Sequence, residues 1–209
     1  MPRAAAPLLD PRKTPVQARS TATVDAILSA TVQVLLAVGQ ENLTTTRVAA
    51  RAGVSVGTLY QYFPNKQALL RAVLERHLGE VVSAVQRACL EHHGRPLEEM
   101  ASGLVNGFLD AKLKNVRTST ALYAIANDVD GARIGREMAS RACDAVAGML
   151  ATAPVQFCTE PLRLAEMLYG VFTGTARRLI ESPAPHKLQE SYRAELIRLA
   201  AAYLAASAR

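Results

Sequence analysis

The chain has 209 residues, 50% of them apolar and 20% charged, with a formal net charge of +6, a composition that excludes disorder over most of its length. No run approaches the roughly 18 uncharged apolar residues of a membrane span, and the opening MPRAAAPLLDPRKTP lacks the apolar centre of a signal peptide. Three scattered cysteines, Cys89, Cys143 and Cys158, suit a reducing cytoplasm better than a disulfide framework.

Read in chain order, apolar residues recur at steps of three and four, and strand-like alternation is missing. A basic, proline-broken arm (1–18) leads into a first helix from about Ser20 to Val38, striped by Ile27, Ala30, Val34 and Leu35 and stopped by Gly39. A short second helix is predicted between Thr44 and Ala52, ended by Gly53, and a third from Ser55 to Phe63, ended by Pro64. Asn65 is placed to cap a long fourth helix whose stripe runs through Leu70, Val73, Leu74, His77, Leu78, Val81 and Val85. Further helices are expected near 97–116, 118–127, 129–151, 160–181 and 186–207, parted at Asn115–Thr118, Asp128, Pro154 and Ser182-Pro183-Ala184-Pro185. The fold class is therefore all-α, with about nine helices.

The charge is unevenly spread. Residues 1–78 hold nine Lys/Arg against four Asp/Glu, whereas residues 79–209 hold fifteen against fourteen. A polyanion partner for the first third follows from that asymmetry. Residues 44–63, TTTRVAARAGVSVGTLYQYF, have the layout of a helix-turn-helix. Val48, Ala49 and Ala52 form an inner face, Gly53 permits the tight turn, Val54 plugs it, and Ser55 caps the next helix.

On a helical wheel of that next helix with Val56 at the origin, Leu59 and Phe63 form the buried side, while Gly57, Thr58 and Gln61 lie opposite. Tyr60 and Tyr62 flank the outer face. A short rod with a small, polar outer face suits a DNA major groove: Thr58 and Gln61 can hydrogen-bond base edges, and Gly57 lets the backbone come close. The tyrosine hydroxyls are placed for phosphates on either wall. Thr45, Thr46, Arg47 and Lys66 add donors at helix ends, and Arg12, Lys13 and Arg19 add a basic arm.

The run LTTTRVAARAGVSVGTLYQYFPNKQALL resembles the N-terminal DNA-binding domain of the TetR family of transcriptional regulators. The landmarks are Ala52-Gly53-Val54-Ser55, Gly57, Leu59-Tyr60, Tyr62-Phe63, Asn65-Lys66 and Leu69-Leu70, and they cover about residues 20–78. The resemblance implies a three-helix DNA-binding head (19–78) and a larger helical body (79–209) for ligand binding and dimerisation. It implies a cytoplasmic homodimer on a palindromic double-stranded DNA operator, a repressor released by a small hydrophobic ligand. Base contacts then come from the 56–61 region, Val56 included, and phosphate contacts from Thr45, Tyr60, Tyr62 and Lys66. Two positions depart from the family pattern: Arg47 stands where many relatives have an acidic residue that completes a capping box, and Gln67 where an acid is frequent.

In the body, Leu104, Phe108, Tyr123 and Met138 lie on helices that enclose the pocket in relatives, as do Met149, Tyr169 and Phe172. Asn106, Asp110 and Glu166 are candidates for the polar group that orients a ligand. The last two helices are amphipathic, as a four-helix dimer seam requires. One contributes Leu168, Gly170 and Gly174; the other contributes Leu188, Tyr192, Leu196, Leu199 and Tyr203. No cofactor, metal or membrane partner is expected. Cys89-x-x-His92-His93 lacks a second ligand pair, and no nucleophile elbow, P-loop, dinucleotide fingerprint or zinc-protease motif occurs, so no catalytic residue is assigned. Two other readings stay open: an effector-independent DNA binder, and a helical small-molecule-binding protein.

Overall fold

The computed structural model describes residues 18–209; Arg12 and Lys13 of the basic arm lie outside the described residues, and so does the side chain of Arg19. Contacts divide the chain into two compact units, one running to His77 and including Thr120–Ile134, the other Leu78–Ser119 with Gly135–Arg209. The sequence pattern alone put residues 120–134 with the body.

The head contains α1 (Ala18–Asn42), α2 (Thr45–Ala52), α3 (Val56–Tyr62) and the start of α4 (Lys66–Glu91). Its core joins Ile27, Val34 and Leu35 of α1 to Val48 and Ala49 of α2, Leu59 and Phe63, and Leu69, Leu70 and Val73 of α4. Thr31, fully buried among them, satisfies its hydroxyl on the carbonyl of Ile27 at 2.7 Å.

Helix α1 breaks at Gly39, as expected, but a further turn follows the break. That residue has φ 74° and ψ 171°, a conformation open to glycine, and the chain resumes helical form to Asn42. The Lys66 ammonium, 26 residues away, donates to the Gln40 carbonyl at 2.5 Å, which also accepts from Leu43 N–H at 3.3 Å. A second correction concerns membrane spans: Ser20–Asn42 is long and apolar enough to cross a bilayer by length and composition, with a mean hydropathy of 1.7. Here its apolar side, Ile27, Leu28, Ala30, Val34 and Leu35, is buried as a core helix of the head.

Helix α6 (Val116–Ile125) runs into a 3-10 turn, Ala126–Val129, before α7 (Gly131–Leu150). The break spans residues 126–130, so it contains Asp128 and ends at Asp130. Asp130 takes the left-handed conformation, φ 57°, and its carboxylate accepts from the Arg133 guanidinium at 2.7 Å. Asp128 instead accepts from the Gln40 side-chain amide, which ties the α6–α7 corner to the end of α1 inside the head unit.

The body is built on α5 (Leu97–Leu113), α8 (Pro161–Ile180) and α9 (Pro185–Ala206), with the rest of α4 and α7. Both α8 and α9 begin with proline in the first turn, where its missing N–H costs no helical bond. Helix α5 packs on α9 and α8, and α8 packs on α9. One apolar core threads them, with Met100, Leu104, Val105, Leu109, Met149, Leu164, Leu179 and Ala200 all at its centre. The chain end pairs with the α7–α8 connection: Cys158 N–H donates to the Ser207 carbonyl and Arg209 N–H to that of Gln156, each at 2.8 Å.

Candidate nucleic-acid interface

Local chemistry sets the position of α3. The Thr44 hydroxyl caps α2 by accepting from Arg47 N–H at 3.3 Å. Gly53, at φ 70°, ends that helix in the left-handed region, and the next amide, of Val54, closes on the Ala49 carbonyl at 3.0 Å. Ser55 then caps α3, its hydroxyl accepting from Thr58 N–H at 2.9 Å. Leu59 is the buried residue within α3, and Phe63 seals the helix end. Val54 is only half-buried, so the turn is held more by hydrogen bonds than by a plug.

The opposite face is open. Gly57 and Gln61 are exposed, and Val56 and Thr58 are half-buried. A Cβ added at Gly57 meets only the Ser55 hydroxyl, at 3.7 Å. The protein itself therefore has room for a side chain there, although glycine in a helix costs about 1 kcal/mol relative to alanine. Thr58 is less free than the wheel suggested, because its hydroxyl shares a 2.8 Å hydrogen bond with that of Ser55.

Two hydroxyl pairs flank α3. The Tyr60 hydroxyl, on a ring 39% exposed, lies 3.0 Å from the Thr45 hydroxyl at the start of α2. Tyr62 meets the Ser20 hydroxyl, also at 3.0 Å, near the start of α1. The first pair sits beside the free amides of the α2 N-terminus, where Thr46 is also exposed, and the helix dipole favours an anion. Arg47 is exposed but does not point freely outward: it donates to the Asn42 carbonyl at 2.8 Å and so caps α1. Lys66, half-buried, spends one N–H on Gln40 and keeps two donors. The structure thus gathers Thr45, Tyr60, Gly57 and Gln61 around α3. Ser20 is the one member that sequence reasoning missed; its only signal was its place opposite Tyr62 in the fold.

A helix-turn-helix with this exposed face belongs to a recognisable class. The model of the bacterial regulatory proteins, tetR family, matches residues 27–73, and that of the tetracyclin repressor-like C-terminal domain matches residues 96–204. The chain belongs to the TetR family. It is a DNA-binding transcriptional regulator. Among curated TetR relatives it is 26% identical over 162 residues to the transcriptional regulator BetI of Serratia proteamaculans, covering 73% of this chain and 80% of that one. It is 42% identical over 64 residues to the transcriptional repressor KstR of Mycolicibacterium smegmatis, 31% of each chain. A match of 44% over 54 residues links it to the class C tetracycline repressor of Escherichia coli, across 26% of this chain and 25% of that repressor. The fold matches that of a TetR-family structure from Mesorhizobium loti, with a TM-score of 0.70 at 19% identity over 91% of this chain and 96% of the other.

The remaining predicted residues of this TetR chain lie in varied places. Leu104, Phe108, Met149 and Phe172 are buried in the body core, with the Phe108 and Phe172 rings 5.7 Å apart, and Met138 and Tyr169 pack against its edge. Tyr123 belongs to the head unit and is exposed. Asn106 and Asp110 both accept from the Arg193 guanidinium, at 2.7 and 2.6 Å, and so link α5 to α9; Glu166 lies in the open beside Arg163. Of the dimer candidates, Leu168 and Leu196 are corrected: at 2% and 3% exposure they are core of their own subunit. Gly170 and Gly174 are exposed with open space at their Cβ positions, Leu188 and Leu199 are exposed, and Tyr192 and Tyr203 are half-buried. The Cys89-x-x-His92 fragment is divided: burial drives the Cys89 thiol up to about 12, while the His92 ring contacts the Ala88 carbonyl and lies against Gly103.

Proposed function

We propose that this regulator works in the cytoplasm as a homodimeric repressor, two α3 helices entering successive major grooves of a palindromic operator. The observation that carries this reading is the exposed Gly57–Gln61 face of α3 with a hydroxyl pair on each side. Phosphates supply most of the affinity through Thr45, Thr46, Tyr60, Tyr62, Lys66 and the basic arm with Arg19, and Gln61 with Thr58 supplies base preference. The Gln61→Ala and Thr58→Ala variants are expected to lose most of the ratio between cognate and random DNA while keeping binding to random DNA. Gel shifts on the DNA flanking the gene test this, and an equal loss on both sequences contradicts it. Replacing Lys66 by alanine is expected to flatten the log affinity against log salt line by about 0.9. An unchanged slope reduces Lys66 to its hold on Gln40.

The dimer seam in this reading is the outward side of α8 and α9, where Gly170 and Gly174 let a partner helix approach and Leu199 is 45% exposed. A Leu199→Glu variant is expected to sediment as a folded monomer, and a persisting dimer moves the seam elsewhere. A small hydrophobic effector acts by population shift, binding the operator-incompetent arrangement of the body more tightly than the competent one. No catalytic role is assigned. The packed state of Leu104, Phe108, Met149 and Phe172 favours a second reading, an effector-independent binder whose body only dimerises. Thermal shifts across a library of apolar compounds separate the two: any saturable stabilisation tells against it.

A further inference from the structure

Helix α3 consists of seven residues, Val56–Tyr62, and none of them is charged. In a major groove, guanine shows two acceptors, O6 and N7, and is read by the paired donors of an arginine or by a lysine. Cytosine shows an amino donor and is read by a carboxylate. Neither kind of group stands on α3. The two arginines of α2 are each bonded within the head: Arg47 donates to the Asn42 carbonyl at 2.8 Å, and Arg51 to the Gln33 carboxamide oxygen at 2.5 Å.

The polar groups that α3 does carry differ in how far the fold engages them. The Tyr60 and Tyr62 hydroxyls are shared with those of Thr45 and Ser20, each at 3.0 Å, and the Thr58 hydroxyl with that of Ser55 at 2.8 Å. A hydroxyl can turn either a proton or a lone pair outward, so it suits any base edge and fixes none. Gln61 differs from all three. It is exposed, and among the described residues no hydrogen bond holds its carboxamide. Four residues earlier, and so about 6 Å along the helix, the exposed Gly57 sets no side chain on the same face.

We propose that Gln61 reads an adenine through N6 and N7 together, so that an A·T pair is the base pair α3 fixes in each half-site of the operator. A carboxamide holds a donor and an acceptor side by side, and among single bases adenine alone shows the complement on its major-groove edge. On guanine the carboxamide oxygen faces a second acceptor, and on cytosine or thymine one bond replaces two. The other groups of the face agree with this choice. Thr58 brings a methyl group and Val56 an apolar side chain, the kind of surface that packs on the C5-methyl of thymine. The inference rests on the reading that α3 enters the major groove, and it adds the base chemistry that the helix selects.

Selection of the full chain against a library of duplexes with a randomised core tests the assignment, run side by side with the Gln61→Ala variant. The wild type is expected to fix an A·T pair in each half-site, and in Gln61→Ala that position alone is expected to become random. On the selected duplex, 7-deazaadenine at the fixed position removes the N7 acceptor and leaves N6 in place. The wild type is expected to bind that duplex about fivefold more weakly, the scale of one hydrogen bond, and Gln61→Ala to bind both duplexes alike. A Gln61-dependent position that is G·C in the wild type overturns the proposal, and so does a wild type indifferent to 7-deazaadenine. Both results leave α3 as the reading helix, because a base preference still depends on Gln61. A selected sequence that neither Gln61→Ala nor Thr58→Ala alters, or no enriched sequence at all, overturns the reading of α3 in the groove and this proposal with it.

Discussion

Leu59→Ala is expected to lower the stability of the head by about 3 kcal/mol, a loss typical of a fully buried leucine. The effect is large because α3 has so little else. Seven residues cannot hold a helix alone, and Leu59 is the buried side chain within it. Its cap, Ser55, fixes the start of the helix and Phe63 closes the end, but neither replaces the contact with the α1 and α2 core. Where a domain is stable by only about 5–15 kcal/mol, such a loss is a large share of the whole. Operator affinity should then fall with the fraction of competent heads, on cognate and random DNA alike. Circular dichroism melting read beside gel shifts gives the comparison. The Gln61→Ala variant is its control: an exposed side chain leaves the melting point in place and removes base preference only. A Leu59→Ala chain that melts and binds as the wild type does would show that α3 is held by its caps.

The head was largely legible in the sequence because its boundaries are set by neighbours in the chain. Thr44, Ser55 and Asn65 cap from within three residues, and Gly53 and Pro64 stop helices where they stand. What stayed hidden depends on partners far along the chain. Gly39 does break the helical geometry, as its position suggests, but the turn that resumes to Asn42 and the bond from Lys66 to the Gln40 carbonyl have no local signal. Asp128 does lie between α6 and α7, but its role as an acceptor for Gln40, 88 residues away, has no local signal.

Burial divides the five α9 residues in an instructive way. At about 100° per residue, Leu188 and Leu199 lie within about 20° of each other, Tyr192 and Tyr203 follow at about 40° and 60°, and Leu196 falls at about 80°. Exposure follows that order, from Leu188 and Leu199 in the open to Leu196 at 3%. The five residues form one stripe, but the stripe is the border of the core, which is centred farther round the helix on Ala200 and Leu204. Periodicity finds a stripe and cannot say which of its edges faces inward. Lys112 shows the reverse case. The α5 pattern could have singled it out, since a charge in a core register is visible to the same arithmetic, but only burial makes it a departure.

Titrating the body is expected to reveal Lys112 directly. Its pKa is lowered from 10.5 in the free residue to about 8 in the folded chain. Below pH 8 both states carry the proton, and desolvation penalises it in the folded state. Between pH 8 and 10.5 the unfolded chain holds a proton that the folded chain has released, so stability rises with pH through that window. Above it both are neutral and the gain is complete, at most about 3 kcal/mol. Lys112→Met lacks this term, while every other alkaline titration is shared between the two proteins. The stability difference between wild type and variant, from urea unfolding at pH 7, 9 and 10.5, should therefore move in favour of the wild type as pH rises, whatever fixed packing change the methionine brings. A difference that stays constant with pH would place the ammonium in contact with water. A movement confined to this window marks a lysine whose surroundings, burial above all, favour its neutral form in the folded chain.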